Sequence, residues 1–272
     1  MTLTLPTRLV LRFIASFYIF ALLIVPLGAI LWQTFAPGLG AFWASITTPA
    51  SQSALQLSLL VVAIVVPLNV VFGVSTALVL ARRNFRGKNA LQAAIDLPFA
   101  VSPVVVGVAL IALWGTAGLF GFVQNDLGFT IIFGFPGIVL ASIFVTLPFV
   151  IREVEPVLHE IGTDQEEASS TLGANAWQTF WRITLPSIRW GLTYGVVLTV
   201  ARTLGEFGAV LVVSSNLPGQ SQTMTLLVHD RYTRGDAYGA YTVSTVLMAV
   251  AITVLIAQII FDSRRKRLRT ED

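Results

Sequence analysis

From position 13 to position 81 the chain carries no Lys, Arg, Asp or Glu, a run of 69 residues. A run of that length cannot form the water-facing surface of a soluble domain. Over all 272 residues only 11% are charged and 55% are hydrophobic, whereas a soluble domain carries roughly 25% charged residues. The class left is a polytopic membrane protein. There is no cysteine, which excludes disulfides, thiolate metal sites, iron–sulfur clusters and thiol nucleophiles. The two histidines, His159 and His229, stand 70 positions apart and do not suggest a metal site.

About 20 mostly apolar residues cross a bilayer as a helix. Six segments meet that test, near 13–35, 53–81, 97–119, 131–151, 190–214 and 239–262. The first is longer than the apolar core of a signal peptide and lacks a clear cleavage pattern, so it reads as a retained helix. Fourteen of the 17 Lys and Arg then fall on the side of the N-terminus, with Arg231 and Arg234 opposite and Arg202 inside a span. The positive-inside rule places both termini in the cytoplasm. The basic run 264–269 follows an apolar span directly and reads as an anchor on anionic headgroups rather than a nucleic-acid site. Gly73, Ala77 and Ala81 in the second span, and Gly191 and Gly195 in the fifth, recur at four-residue spacing and suit close helix packing. Pro67, Pro98, Pro103, Pro136 and Pro148, in or at the ends of spans, permit kinks.

The cytoplasmic loop 152–189 holds six of the 14 acidic residues. Thr163 and Glu166 have the spacing of a capping box, which predicts a short helix from Asp164 to about Leu172. Gly173 would end it in the left-handed conformation. Asn175 is a second N-cap candidate. A second short helix would carry Trp177, Phe180, Trp181 and Leu185 until Pro186 stops it, with Trp177, Trp181 and Leu185 on one face. That face either packs beneath the bundle or docks a partner.

Glu167-Ala168-Ser169, three residues, Gly173, nine residues, then Ile183-x-Leu185-Pro186 resembles the EAA loop of ABC-importer permeases, with Ser169 in place of the second Ala. The resemblance implies an all-α membrane fold, a type I permease core of six helices forming one transmembrane domain over 1–272. It also implies a cytoplasmic coupling helix that fits a groove on a separate ATPase. Glu167, Ala168, Ser169, Gly173, Ile183, Leu185 and Pro186 would form the coupling element, with Glu167, Ala168 and Ser169 on the docked surface. The runs 97–105, 146–153 and 201–210 are similar to the sulfate and thiosulfate importers, whose permeases are of two types, T and W. The segment 148–153 and Val212-Val213-Ser214 are closer to the W type.

From the resemblance the partners would be a T-type permease, a dimer of ATP-binding subunits holding ATP and Mg, an extracytoplasmic sulfate-binding protein and membrane lipid, in a bacterial inner membrane. The outer loops 33–53 and 216–236 would face the binding protein. The chain itself has no phosphate loop of the form Gly-x-x-x-x-Gly-Lys-Ser/Thr, so no cofactor and no catalytic site is expected in it. Arg202 lies inside a span and Glu206 one turn on, so they can pair; the pair is either an internal lock, a gate or an anion contact. Asn69 and Ser102 are uncharged candidates for the pathway, and Asp96 reads as an interfacial cap. Molybdate and tungstate remain alternative substrates. A self-contained secondary transporter is the alternative from another class, but no internal repeat supports it.

The orientation is open to a direct measurement, because the chain has no native cysteine. An Asn84→Cys variant is expected to react with a membrane-impermeant maleimide only from the cytoplasmic side; labelling from the outer side reverses the topology.

Overall fold

The computed structural model describes the backbone of residues 5–270 and the side chains of residues 11–259. Helices account for most of it. The first, α1 (Leu5–Ile19), runs through a π turn at Phe20–Ile24 into α2 (Val25–Phe35). A short α3 (Leu39–Ile46) leads to α4 (Pro49–Arg82), whose N-cap Thr48 accepts from the Ser51 amide. Then follow α5 (Lys88–Ala100), α6 (Pro103–Trp114), α7 (Gly121–Asn125) and α8 (Phe135–Ile161). The polar segment supplies α9 (Asp164–Thr171) and α10 (Ala176–Thr179). The rest is α11 (Leu185–Leu204), α12 (Gly208–Val213), α13 (Met224–Thr233) and α14 (Ala237–Thr270).

Among the described residues four helical stretches are long and apolar enough to cross a membrane: Leu11–Phe35, Pro49–Arg82, Phe135–Ile161 and Ala237–Ile259. The expected third and fifth spans are broken instead. α5 and α6 meet at an angle of 115° and make one span only if counted together. Val101 and Ser102 are extended there, with ψ of 135° and 134°. The cause is Pro103, whose ring disfavours a helical residue before it and which then starts α6 at its first position. The fifth segment, α11, is 20 residues long but is less apolar than the four. It ends at Gly205, and Glu206 and Phe207 separate it from α12. Apolar helix flanks both short breaks, which is why hydropathy alone ran these segments together.

α8 is the centre of the bundle. A Cβ at Gly73 of α4 would lie 2.7 Å from Val150 Cβ, and one at Gly195 of α11 would lie 3.0 Å from Val150 Cα. Both expected glycine stripes therefore converge on α8. Ala77, Leu80, Ile151, Val154, Leu158 and Ile188 bury fully around this contact. Polar groups bridge the same helices. Asn69 Nδ2 donates to Thr146 Oγ1 at 2.6 Å, and Thr146 Oγ1 donates to Ser142 O.

The short helices α3 and α13 are tied down. Arg231 of α13 donates to Ser45 Oγ, Thr48 Oγ1, Ser51 Oγ and Gly239 O at 2.8–3.2 Å, which fastens α3 and the start of α4 to α13 and α14. Thr34 and Thr245 share a buried hydrogen bond of 2.8 Å between α2 and α14.

Close approach at α8 gives a stability test. A Cβ at Gly191 would sit 2.6 Å from Glu153 O, a backbone atom that cannot rotate away, whereas nothing lies within 4 Å of a Cβ at Gly28. In the purified protein, Gly191→Val is expected to cost about 1–3 kcal/mol by overpacking and to lower the detergent melting temperature by several degrees. Gly28→Ala is expected to melt like the native protein.

Candidate functional site

The polar element is smaller than the loop 152–189 suggests. α8 continues to Ile161 because Val154 and Leu158 keep burying at helical spacing. At the other end α11 already starts at Leu185. What projects is 162–184: α9, a glycine turn, α10 and a π turn at Phe180–Thr184 that runs into α11. Pro186 does not stop the helix, contrary to expectation. The widened π turn just before it, where the Leu185 amide reaches Phe180 O, makes room for the ring and for its missing N–H.

α9 covers Asp164–Thr171, close to the predicted helix, but the capping box at Thr163 does not form. Thr163 Oγ1 donates to Glu167 Oε1 at 2.7 Å instead, and Glu166 turns away to Arg82. An arginine with two aligned donors outcompetes one backbone amide for a carboxylate. The reciprocal box forms one helix later, between Asn175 and Gln178. Gly173 has φ +85°. It closes α9 as a Schellman motif: its amide reaches Ser170 O, and that of Ala174 reaches Ser169 O.

Glu167 and Ala168 are exposed, as expected of a docking surface. Ser169 is not: it is 7% exposed, and its hydroxyl joins Glu166 O and Thr179 Oγ1, both at 2.8 Å. The third position of the motif is small because it lies in the seam between the two short helices. Trp177 and Trp181 are exposed and meet edge to face at 5.5 Å. Leu185 leaves their face and packs with Phe180 on the core around Leu158. Ile183 is half-buried and Pro186 exposed.

The second place of interest is where the two broken spans meet. A Cβ on Gly208 would lie 3.0 Å from Pro103 Cβ, and one on Gly107 would lie 2.9 Å from Ala209 O, so the starts of α6 and α12 touch. Arg202 Nη2 pairs with Glu206 Oε2 at 3.3 Å, as the spacing predicts. The arginine side chain is 41% exposed and the glutamate 1%. Glu206 Oε1 also accepts the Ala209 amide at 3.1 Å. A fixed carboxylate thus satisfies the Ala209 amide in the first turn of α12, and the exposed member of the pair is cationic. Ser102 lies exposed at the α5–α6 break. Asn69 is fully buried between α4 and α8, so it faces no open path within this chain and acts as an interhelical tie. Asp96 is an ion-pair partner rather than a cap: both its oxygens take donors from Arg152. Arg152 and Gln92 also reach the buried Glu155. Neither the Asp96–Arg152 pair nor the Arg82–Glu166 pair has a sequence signal, since the partners are 56 and 84 residues apart.

The turn at Gly173 can be tested on its own. A residue with Cβ in the left-handed region costs about 1–2 kcal/mol, while Asn tolerates it better. Gly173→Val is expected to reach the membrane at native level, yet to be cut faster within 162–184 by limited proteolysis and to show altered iodide quenching of Trp177 and Trp181. Gly173→Asn is expected to lie between Val and native; equal behaviour of all three removes the need for the left-handed turn.

Comparison with known proteins places this geometry. Residues 70–269 match the family model described as binding-protein-dependent transport system inner membrane component. The chain is 46% identical over 254 residues to the sulfate transport system permease protein CysW of Synechococcus elongatus, covering 93% of this chain and 89% of that one. It is 34% identical over 238 residues to the sulfate transport system permease protein CysT of Escherichia coli, covering 88% and 86%. A crystal structure of a bacterial ABC transporter involved in the import of the acidic polysaccharide alginate superposes with a TM-score of 0.77 over 96% of this chain and 95% of that one, at 16% identity. With a family model spanning most of its helices and long, near-full-length relatives, the chain belongs to the inner-membrane permeases of binding-protein-dependent ABC importers.

Proposed function

We propose that this chain is the W-type permease subunit of an importer that carries sulfate, and thiosulfate by the same route, into the cell. The observation that carries the reading is 46% identity to a protein named as a sulfate permease over 93% of the chain, against 34% to a CysT permease. Such a chain works beside a second, T-type permease. An extracytoplasmic sulfate-binding protein delivers the anion to the outer helices around α3 and α13. A dimer of ATP-binding subunits, which holds ATP and Mg, docks on Glu167, Ala168 and the tryptophan face of 162–184. Both termini and α9 lie in the cytoplasm, and 1–272 acts as one transmembrane domain.

The chemistry asked of this chain is positioning. The half-exposed Arg202, paired to a buried Glu206, offers positive charge where the two broken spans meet, and Ser102 adds an uncharged donor nearby in the same region of breaks. A paired arginine attracts a dianion more weakly than a free one, which suits a route that must release its cargo. Gate and pathway roles fall to Arg202, Glu206 and Ser102. Asn69 serves packing.

The test is uptake in cells lacking the chain. Restoring it on a plasmid is expected to restore radiolabelled sulfate uptake, with thiosulfate competing and a tenfold excess of molybdate leaving it unchanged. Restoration of molybdate uptake alone assigns the chain to another oxyanion. Sulfate uptake that persists when the importer's ATP-binding subunit is deleted indicates a self-contained transporter.

A further inference from the structure

We propose that Arg82 is a positioning residue that transmits movement of α9 into the membrane bundle; this rests on the reading that α9 docks on the ATPase. α9 has little else to hold it. Of its eight residues only Ser169 is buried, and the bond from Ser169 to Thr179 joins α9 to the neighbouring short helix. Its attachment to the spans is Glu166.

Arg82 occupies the last turn of α4. Its Nε donates to Glu166 Oε2 at 3.0 Å and its Nη2 to Glu166 Oε1 at 3.2 Å. Its Nη1 donates to Leu158 O, near the end of α8, at 2.8 Å. Thr184 Oγ1, at the entry to α11, donates to the same Glu166 Oε1 at 2.8 Å. One ion pair therefore ties together the cytoplasmic ends of α4, α8, α9 and α11.

The geometry suits transmission of force. Two parallel bonds between planar groups resist rotation as well as separation, which a single flexible cation does not. The side chains are 15% and 21% exposed, so water competes weakly for the pair. α9 is bounded by Gly162 and Gly173, at φ +64° and +85°, with nothing within 4 Å of a Cβ at either. It is a short rod between two glycine turns, and the ion pair fixes where its movement enters the bundle. A structural lock on the loop would use the same bonds; the difference lies in what is lost when they are cut.

The experiment uses the whole importer, purified and reconstituted, with ATP hydrolysis and sulfate uptake measured on the same vesicles. Arg82→Ala is expected to retain the ATPase and to hydrolyse ATP, while sulfate moved per ATP falls by about tenfold, a size usual for coupling between sites. Arg82→Lys is expected to fall between the two. The exchange Arg82→Glu with Glu166→Arg is expected to recover part of the lost ratio. An unchanged ratio in Arg82→Ala overturns the proposal. So does uptake that falls only in step with the amount of ATPase retained, which makes the pair a platform and no more. A Glu167→Cys variant cross-linked to the ATPase keeps the two readings apart. Absence of the cross-link in otherwise native importer tells against docking by α9, whereas a cross-link with an unchanged ratio tells against Arg82 alone.

Discussion

Three helix backbones come together at Val150. Gly73 meets it from α4 and Gly195 from α11, each closely enough that a methyl group would collide. In lipid the hydrophobic effect does not drive helices together, so close packing of small residues and buried polar bonds must do so. Around this contact lie the fully buried Ala77, Leu80, Ile151 and Leu158, and one to two turns away the Asn69–Thr146 bond. The two candidate regions lie at opposite ends of it. At one end α4 and α8 finish, and α11 begins, at the Arg82–Glu166 network. Away from it α11 ends at Gly205, where the second broken span begins.

The sequence made some of this legible and hid the rest for physical reasons. The glycine stripes in α4 and α11 were readable because close packing needs small side chains at a fixed spacing, and both stripes fall on α8. The stop of α9 at Gly173 and the cap at Asn175 were readable because each is set by its own few neighbours. So was the pair of Arg202 with Glu206, one turn apart. The cap at Thr163 failed because Glu166 had a better partner 84 positions away. The stop at Pro186 failed because a widened turn absorbed the ring. Hydropathy drew the third and fifth segments as single spans, since an average over 20 residues does not register a two-residue break at Val101 and Ser102.

The charged clusters share one design. Arg82 with Glu166, Arg152 with Asp96 and Glu155, and Arg231 with its ring of hydroxyls each join elements distant in sequence. Each arginine uses two or more of its five donors at once, in a planar fork that lysine's single ammonium does not offer. Among the described residues these sites lie toward the two ends of the helices. The ends are where water and headgroups reduce the cost of a charge, and where an apolar surface specifies orientation poorly. The apolar middle fixes how closely the helices lie, and the arginines fix how their ends are joined.

The break between α5 and α6 has a consequence for solvent. A helix start leaves its first amides without partners inside the helix, and hydrocarbon cannot supply them, so irregular backbone at membrane depth must be covered by protein or meet water. Ser102 is exposed on an open flank of this break, while the start of α12 touches the adjoining Pro103 through Gly208. Acyl chains are therefore excluded from the open flank, which must be hydrated or sealed by a neighbouring subunit. The boundary between lipid-facing and lipid-free surface on this chain can be drawn from that one extended dipeptide, Val101-Ser102.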